Sequence, residues 1–211
     1  MMTKTLRKFL CGLFVLPALT LSAQALAHHG DKSAHGLRNV TVLIVRHAEK
    51  PDQGSGLSPQ GEQRAEAYAS YFDPLQLDGE SLVPQRLIAT SDSKDSERPR
   101  LTLTPLSQRL QLPIEQPYAD DQVDKLVKSL DKDNQASVVL IAWHHGHIDK
   151  LIDAFGGDAK KLTGEKSWPG SVYDWLIVLR FDDRGQLIES RSEKVQEHLL
   201  PGDGSDASAG G

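Results

Sequence analysis

The sequence predicts an α/β domain of three layers, with a mainly parallel central sheet and helices on both faces. Two observations carry this. Short β-branched apolar runs, of the kind buried on both sides of a sheet, recur along the chain. Stretches with helix start and stop signals separate them, and that alternation is the pattern of α/β folds.

The first strand run is Val40-Thr41-Val42-Leu43-Ile44-Val45. A helix follows over 60–72, with Ser58 as N-cap and Pro59 in its first position. Arg86 to Thr90 reads as a second buried strand, and helical patterns resume over 98–110 and 122–130. Ser137 to Ala142 is a third buried strand. The helix expected after it runs from His147 to Phe155 and stops at Gly156-Gly157. Trp175 to Phe181 and Leu187 to Ser192 read as a closing antiparallel hairpin turned by Asp182-Asp183-Arg184-Gly185.

At 211 residues the chain suits one compact domain, placed here at 39–200. Residues 1–27 have the make-up of a cleaved secretory signal. Lys4, Arg7 and Lys8 precede an apolar stretch too short for a comfortable membrane span, and Ala25-Leu26-Ala27 supplies a cleavage site. An exported, periplasmic protein without a stable membrane span is the expectation. Residues 28–38 read as a flexible lead-in, and the polar, small-residue tail 201–211 as disordered.

Composition excludes several chemistries. The single cysteine, Cys11, lies inside the signal, so the mature protein would have no thiol nucleophile, disulfide or thiolate metal site. The net charge of −5 would become −8 on cleavage, with 21 basic against 29 acidic residues. Nucleic acid is not an expected partner, because no basic stripe is present.

In parallel sheets the reactive site lies beyond the carboxyl ends of the strands. Strand one ends in Arg46-His47-Ala48-Glu49-Lys50, and strand two leads to Ser96-Glu97-Arg98-Pro99. Strand three ends in Trp143-His144-His145-Gly146-His147. Two arginines and at least two histidines thus meet at one sheet edge, where bidentate guanidinium donors suit a phosphate dianion. A neutral imidazole among those cations can act as a nucleophile.

In these segments the chain resembles the histidine phosphatase superfamily, the phosphoglycerate-mutase-like branch. Arg46-His47-Ala48 resembles its Arg-His-Gly signature, and Leu57-Ser58-Pro59-Gln60-Gly61-Glu62-Gln63-Arg64-Ala65 its helix start. Ser96-Glu97-Arg98-Pro99 with Thr102 is similar to its second-arginine motif, and His145-Gly146 to its His-Gly step. The resemblance implies a phosphoglycerate-mutase-like fold and hydrolysis of phosphate monoesters, small molecules or phosphoproteins, without a cofactor. It implies His47 as nucleophile through a phosphohistidine, with Arg46, Arg98 and His145 holding the phosphate.

Asp120 and Asp121 are the candidate general acids, with a helix N-cap as the other reading of Asp121. Glu49 is a further candidate beside the nucleophile, or else a brace for its loop. Trp168 is expected either to wall the pocket or to pack its own long loop. The insertion Asp92-Ser93-Lys94-Asp95 leaves open whether Ser91 or Ser96 is the motif serine. His144 is expected to point away from His145. Two other readings stay open: a phospho-ligand binder without turnover, and a metal-dependent hydrolase built on His144 to His147.

Overall fold

A computed structural model describes residues 36–204. The signal 1–27, most of the lead-in and residues 205–211 of the tail lie outside the described residues. Among the described residues no helix is long and apolar enough to cross a membrane.

The first strand, β1 (Thr41–Arg46), is buried along its whole length. Helix α1 (Pro59–Tyr71) begins where the sequence placed it, with the Ser58 hydroxyl accepting from the Gly61 amide at 3.1 Å. A small hairpin of β2 (Leu75–Leu77) and β3 (Glu80–Leu82) follows, not anticipated from its short strands. Next come β4 (Arg86–Ala89), α2 (Arg98–Leu110), the two-residue β5 (Ile114–Glu115) and α3 (Val123–Asp133). The chain continues through β6 (Val138–Trp143), α4 (His145–Ala154), the short α5 (Ala159–Thr163), β7 (Trp175–Arg180) and β8 (Glu193–Gln196).

Six strands form the sheet in the order β5-β4-β6-β1-β7-β8. β5, β4, β6 and β1 pair in parallel, and β7 runs antiparallel to both its neighbours. Side-chain alternation divides the core between the two faces. Val42 and Ile44 face α3 and α4, whose apolar positions Val123, Leu126, Val127 and Leu130 recur at helical spacing. Leu43 and Val45 face α1 and α2 through Tyr68, Phe72, Leu103 and Leu106.

Two boundaries differ from the sequence reading. Helix α4 starts at His145 rather than His147, with His144 in the N-cap position, so Gly146 sits inside the first turn. The closing hairpin does turn at Asp182, whose carboxylate accepts from the amides of Arg184 and Gln186 at 2.8 Å each. Its pairing is then interrupted by a 3-10 turn at Glu189–Arg191, and the strand proper resumes at β8, not over 187–192. Ser192 marks the break, its hydroxyl donating to the Ile188 carbonyl and accepting from the Arg180 amide.

The folded part of the chain also runs past 200. Asp203 accepts from the amides of Leu199 and Leu200 and from Arg64, so residues 201–204 belong to the domain rather than to a disordered tail.

Gly61 is where α1 touches the loop after β1. A β-carbon there would collide with the Glu49 carbonyl oxygen and stand 2.9 Å from the Glu49 amide nitrogen, both backbone atoms with little room to yield. Gly61→Ala is expected to lower stability by about 1–3 kcal/mol in denaturant unfolding. Gln60→Ala, on the exposed neighbour, should stay within about 0.5 kcal/mol of wild type.

Candidate active site

Pairing of β1 with β6 sets Arg46 opposite Trp143, and the first residue beyond the strand, His47, donates its amide to the Trp143 carbonyl at 2.9 Å. The loop that follows is tied on both sides. The Ala48 amide donates to the Thr102 hydroxyl at 2.8 Å, and that hydroxyl donates to the Arg98 carbonyl at 2.8 Å. The Ser58 amide donates to the Glu49 carbonyl at 2.9 Å. These bonds hold the ends of β1, α1 and α2 against one another.

A cleft of about 610 Å³ opens at this edge, and Arg46, His47, Arg98, His144, His145 and His147 all line it, with Asp120 and Asp121. His47 is 3% exposed. Its Nδ1 stands 2.7 Å from the Ala48 carbonyl, an acceptor only, so Nδ1 carries the proton and Nε2 the lone pair. Burial pushes the His47 pKa down to about 3 against the pull of that carbonyl, and Arg46, His144 and Arg98 push it the same way. His47 is therefore a neutral imidazole with a free in-plane lone pair.

The ring next to it is that of His144, with centroids 5.0 Å apart. Strict strand alternation would turn His144 away. The chain has already left the strand there, and as the N-cap of α4 His144 faces the same cleft as His145. Burial lowers the pKa of both, and the positive Arg46 adds to the effect. His145 Nδ1 is buried without a hydrogen-bond partner among the described residues.

The two arginines are held by carbonyls. Arg46, 1% exposed, donates from Nη1 to the carbonyls of Gly170 and Val172 at 2.8 and 2.9 Å, and its guanidinium lies 3.7 Å over the centre of the Tyr173 ring. Burial draws its pKa down to about 10. Arg98 donates to the Gly54 and Asp95 carbonyls at 3.0 and 3.1 Å. Neither arginine has a carboxylate partner within 4.0 Å among the described residues. Nε of each is buried and unbonded. Two partly desolvated cations without counterions are an anion site in electrostatic terms.

Trp168 does not line the cleft, contrary to the first of its two sequence expectations. It is buried against Trp175, ring centroids 5.3 Å apart, and its Nε1 donates to the Val172 carbonyl at 2.9 Å. That carbonyl also accepts from Arg46, so Trp168 shapes the loop that aims the arginine. Sequence gave no sign of this loop's carbonyls converging, because backbone acceptors leave no trace in residue identity.

Glu49 is likewise turned away from the cleft. Arg64 chelates its carboxylate, with Nη2 at 2.7 Å and Nε at 3.0 Å, and the pair is buried. Arg64 also binds Asp203 at 2.7 Å, and lies 3.7 Å from Glu197. The carboxylate two residues beyond His47 is therefore a brace, since its charge is already paired. Of the two serines, Ser96 is buried with its hydroxyl accepting from the Arg98 amide at 3.3 Å, while Ser91 donates to the Gln116 carbonyl.

Asp120 and Asp121 part company. Asp120 Oδ2 lies 2.8 Å from His147 Nδ1, and its backbone carbonyl accepts from Trp143 Nε1 at 3.0 Å. Asp121 is exposed at the rim and does not cap α3, whose N-cap is Gln122. Among the described residues no three His, Cys, Asp or Glu side chains gather as a metal would require.

The comparison with solved structures shows that the chain shares its fold with phosphatases of known structure. The putative alpha-ribazole-5'-P phosphatase from Escherichia coli K-12 superposes with a TM-score of 0.51 at 14% identity, covering 76% of this chain and 98% of that one. The alpha-ribazole phosphatase from Shigella flexneri gives the same figures, 0.51, 14%, 76% and 98%. The putative phosphohistidine phosphatase SixA from Agrobacterium tumefaciens aligns at a TM-score of 0.47 and 18% identity, over 72% of this chain and 97% of that one. No family model and no curated protein sequence matches the chain.

The Glu197 carboxyl, wholly buried, is pushed up from 4.5 to about 8 by burial, against the pull of Arg64 and the Tyr68 hydroxyl. The folded state thus holds a proton that the unfolded chain releases, so this group's contribution to stability declines as pH rises from about 4.5 to 8. Glu197→Gln cannot ionise, and its stability relative to wild type should therefore climb across that window in urea unfolding. A difference that stays flat with pH would show that Glu197 titrates normally.

Proposed function

We propose that the chain is an exported phosphatase that hydrolyses phosphate monoesters through a phosphohistidine on His47. The observation that carries this reading is the pair of counterion-free arginines, Arg46 and Arg98, lining one cleft with the neutral, buried His47. A phosphate supplies the missing negative charge, and phosphoryl transfer asks the protein mainly for positioning and charge stabilisation. Export rests on the N-terminal sequence alone, its basic start, apolar stretch and Ala25-Leu26-Ala27.

His47 Nε2 attacks phosphorus in line while Arg46 and Arg98 hold the non-bridging oxygens. His144 and His145 are the further donors to those oxygens, and His144 is the nearer to the nucleophile by its 5.0 Å ring separation. The bond from phosphorus to the ester oxygen breaks, and that oxygen takes a proton from the His147–Asp120 side of the cleft. Water then attacks the phosphohistidine, releasing inorganic phosphate and restoring the His47 lone pair. Candidate substrates range from sugar phosphates to phosphoproteins, all of which present the same dianion.

The mature protein is expected to hydrolyse p-nitrophenyl phosphate in the presence of EDTA, and His47→Ala to abolish that turnover. Loss of wild-type activity to EDTA would instead point to a metal-dependent hydrolase. Arg46→Ala and Arg98→Ala should each lower kcat/KM by about 10²–10³, the worth of one strong oxyanion donor. Phosphate binding without any turnover by wild type would mark a binding protein.

A further inference from the structure

We infer that the proton donor to the leaving group is the imidazole of His147, held in place by Asp120, rather than a carboxylic acid acting alone. The inference rests on the phosphatase reading above and names the group that completes it.

Geometry separates the two candidates. His147 lies in the first turn of α4, three residues after the N-cap His144. Both line the cleft, and His144 lies beside the nucleophile. The Asp120 carboxylate accepts from His147 Nδ1 at 2.8 Å, which fixes the tautomer and leaves Nε2 as the second nitrogen. That Nε2 has no hydrogen-bond partner among the described residues, and the His147 side chain is 26% exposed. The Asp120 side chain is 34% exposed, but neither of its oxygens is free at the cleft. One of its oxygens is occupied by His147, and the other, Oδ1, is buried from solvent with no partner. A carboxyl in that position is poorly placed to hand a proton to a substrate in the cleft. It is well placed to orient an imidazole and to stabilise its protonated form, the role of an aspartate behind a catalytic histidine.

Three other cleft residues are less suited. The Ser91 hydroxyl is committed to a carbonyl. Asp92 is ion-paired with Arg100 at 2.7 Å and accepts from the Gln116 side-chain amide at 2.8 Å. Asp121 stands at the exposed rim.

As the bond from His47 Nε2 to phosphorus forms, the bond from phosphorus to the ester oxygen breaks. The electron pair left on that oxygen takes the proton from His147 Nε2, leaving a neutral imidazole bonded through Nδ1–H to Asp120. In the second half, water attacks phosphorus and its proton passes to His147 Nε2. The phosphorus–nitrogen bond breaks, and the imidazolium is restored. Such a donor matters for basic leaving groups, alcohols and sugars, and little for those that leave as stable anions.

The test compares phenyl phosphate with p-nitrophenyl phosphate, nearly the same shape with leaving groups of different basicity. His147→Gln keeps an N–H for Asp120 but cannot transfer a proton. It is expected to lose at least about tenfold more kcat/KM on phenyl than on p-nitrophenyl phosphate, within the range of about 10²–10⁴ that general acid catalysis supplies. Asp120→Asn should show the same selectivity to a smaller degree, with inhibition by inorganic phosphate retained in both variants as a check on folding.

Equal losses on both esters would reduce His147 to a structural role and overturn the inference. So would a selective loss in Asp120→Asn but not in His147→Gln, which would make the carboxyl the acid. Wild type that cleaves only p-nitrophenyl phosphate would show that no acid works at this site. If His47→Ala leaves p-nitrophenyl phosphate turnover intact, the phosphohistidine reading itself fails, a result distinct from all of these.

Discussion

The parallel pairing of β1 on β6 is the constraint on which the site depends. Its register aligns Thr41 with Val138 and Arg46 with Trp143, so two strands end at the same level and their next residues meet. His47 is then fixed to the end of β6 through its own amide. Because side chains alternate with a period of two, a slip of one residue would send Val42 and Ile44 to the wrong face. The separate cores on the two faces of the sheet therefore enforce the alignment of His47 with the histidines at the start of α4. Burial energy, spread over many residues far from the cleft, positions the chemistry.

Three buried or half-buried arginines near this edge show how partners decide what a side chain does. Arg64 is surrounded by Glu49, Asp203 and Glu197, and its charge is spent on bracing the loop after β1. Arg46 and Arg98 meet backbone carbonyls, which orient a guanidinium without cancelling its charge. The unspent charge is what a phosphate would meet. The same cations, with burial, keep His47 neutral, so that the imidazole and the arginine pair are tuned together.

The segment from Trp168 to Tyr173 contributes mostly through its backbone. Its carbonyls bind Arg46, the Tyr173 ring lies beneath the guanidinium, and Trp168 pins the Val172 carbonyl from behind. The far end of the chain has a comparable indirect part. Asp203 completes the shell of Arg64, which links residues beyond β8 to the Glu49 carboxylate.

Local signals in the sequence were enough for the elements whose ends are marked by strong local chemistry. Ser58-Pro59 opens α1, helical spacing traces α2 and α3, and the uninterrupted apolar runs of β1, β6 and β7 could hardly be anything but buried strands. The order of those elements, with Arg46, His47, Arg98 and the histidines after Trp143 at strand ends, was enough to locate the cleft. What the sequence could not decide were partnerships between residues far apart in the chain. Glu49 faces Arg64 rather than the substrate side, Trp168 serves a carbonyl rather than a pocket wall, and Asp120 is paired with His147 while Asp121 is not. His144 joined the cleft as the N-cap of α4, which begins two residues earlier than the sequence reading placed it. Element identity follows from periodicity and capping within a few residues, which sequence carries directly. The direction in which a side chain spends its charge or hydrogen bond depends on which distant groups the packed core brings within 3 Å, and only the tertiary structure holds that information.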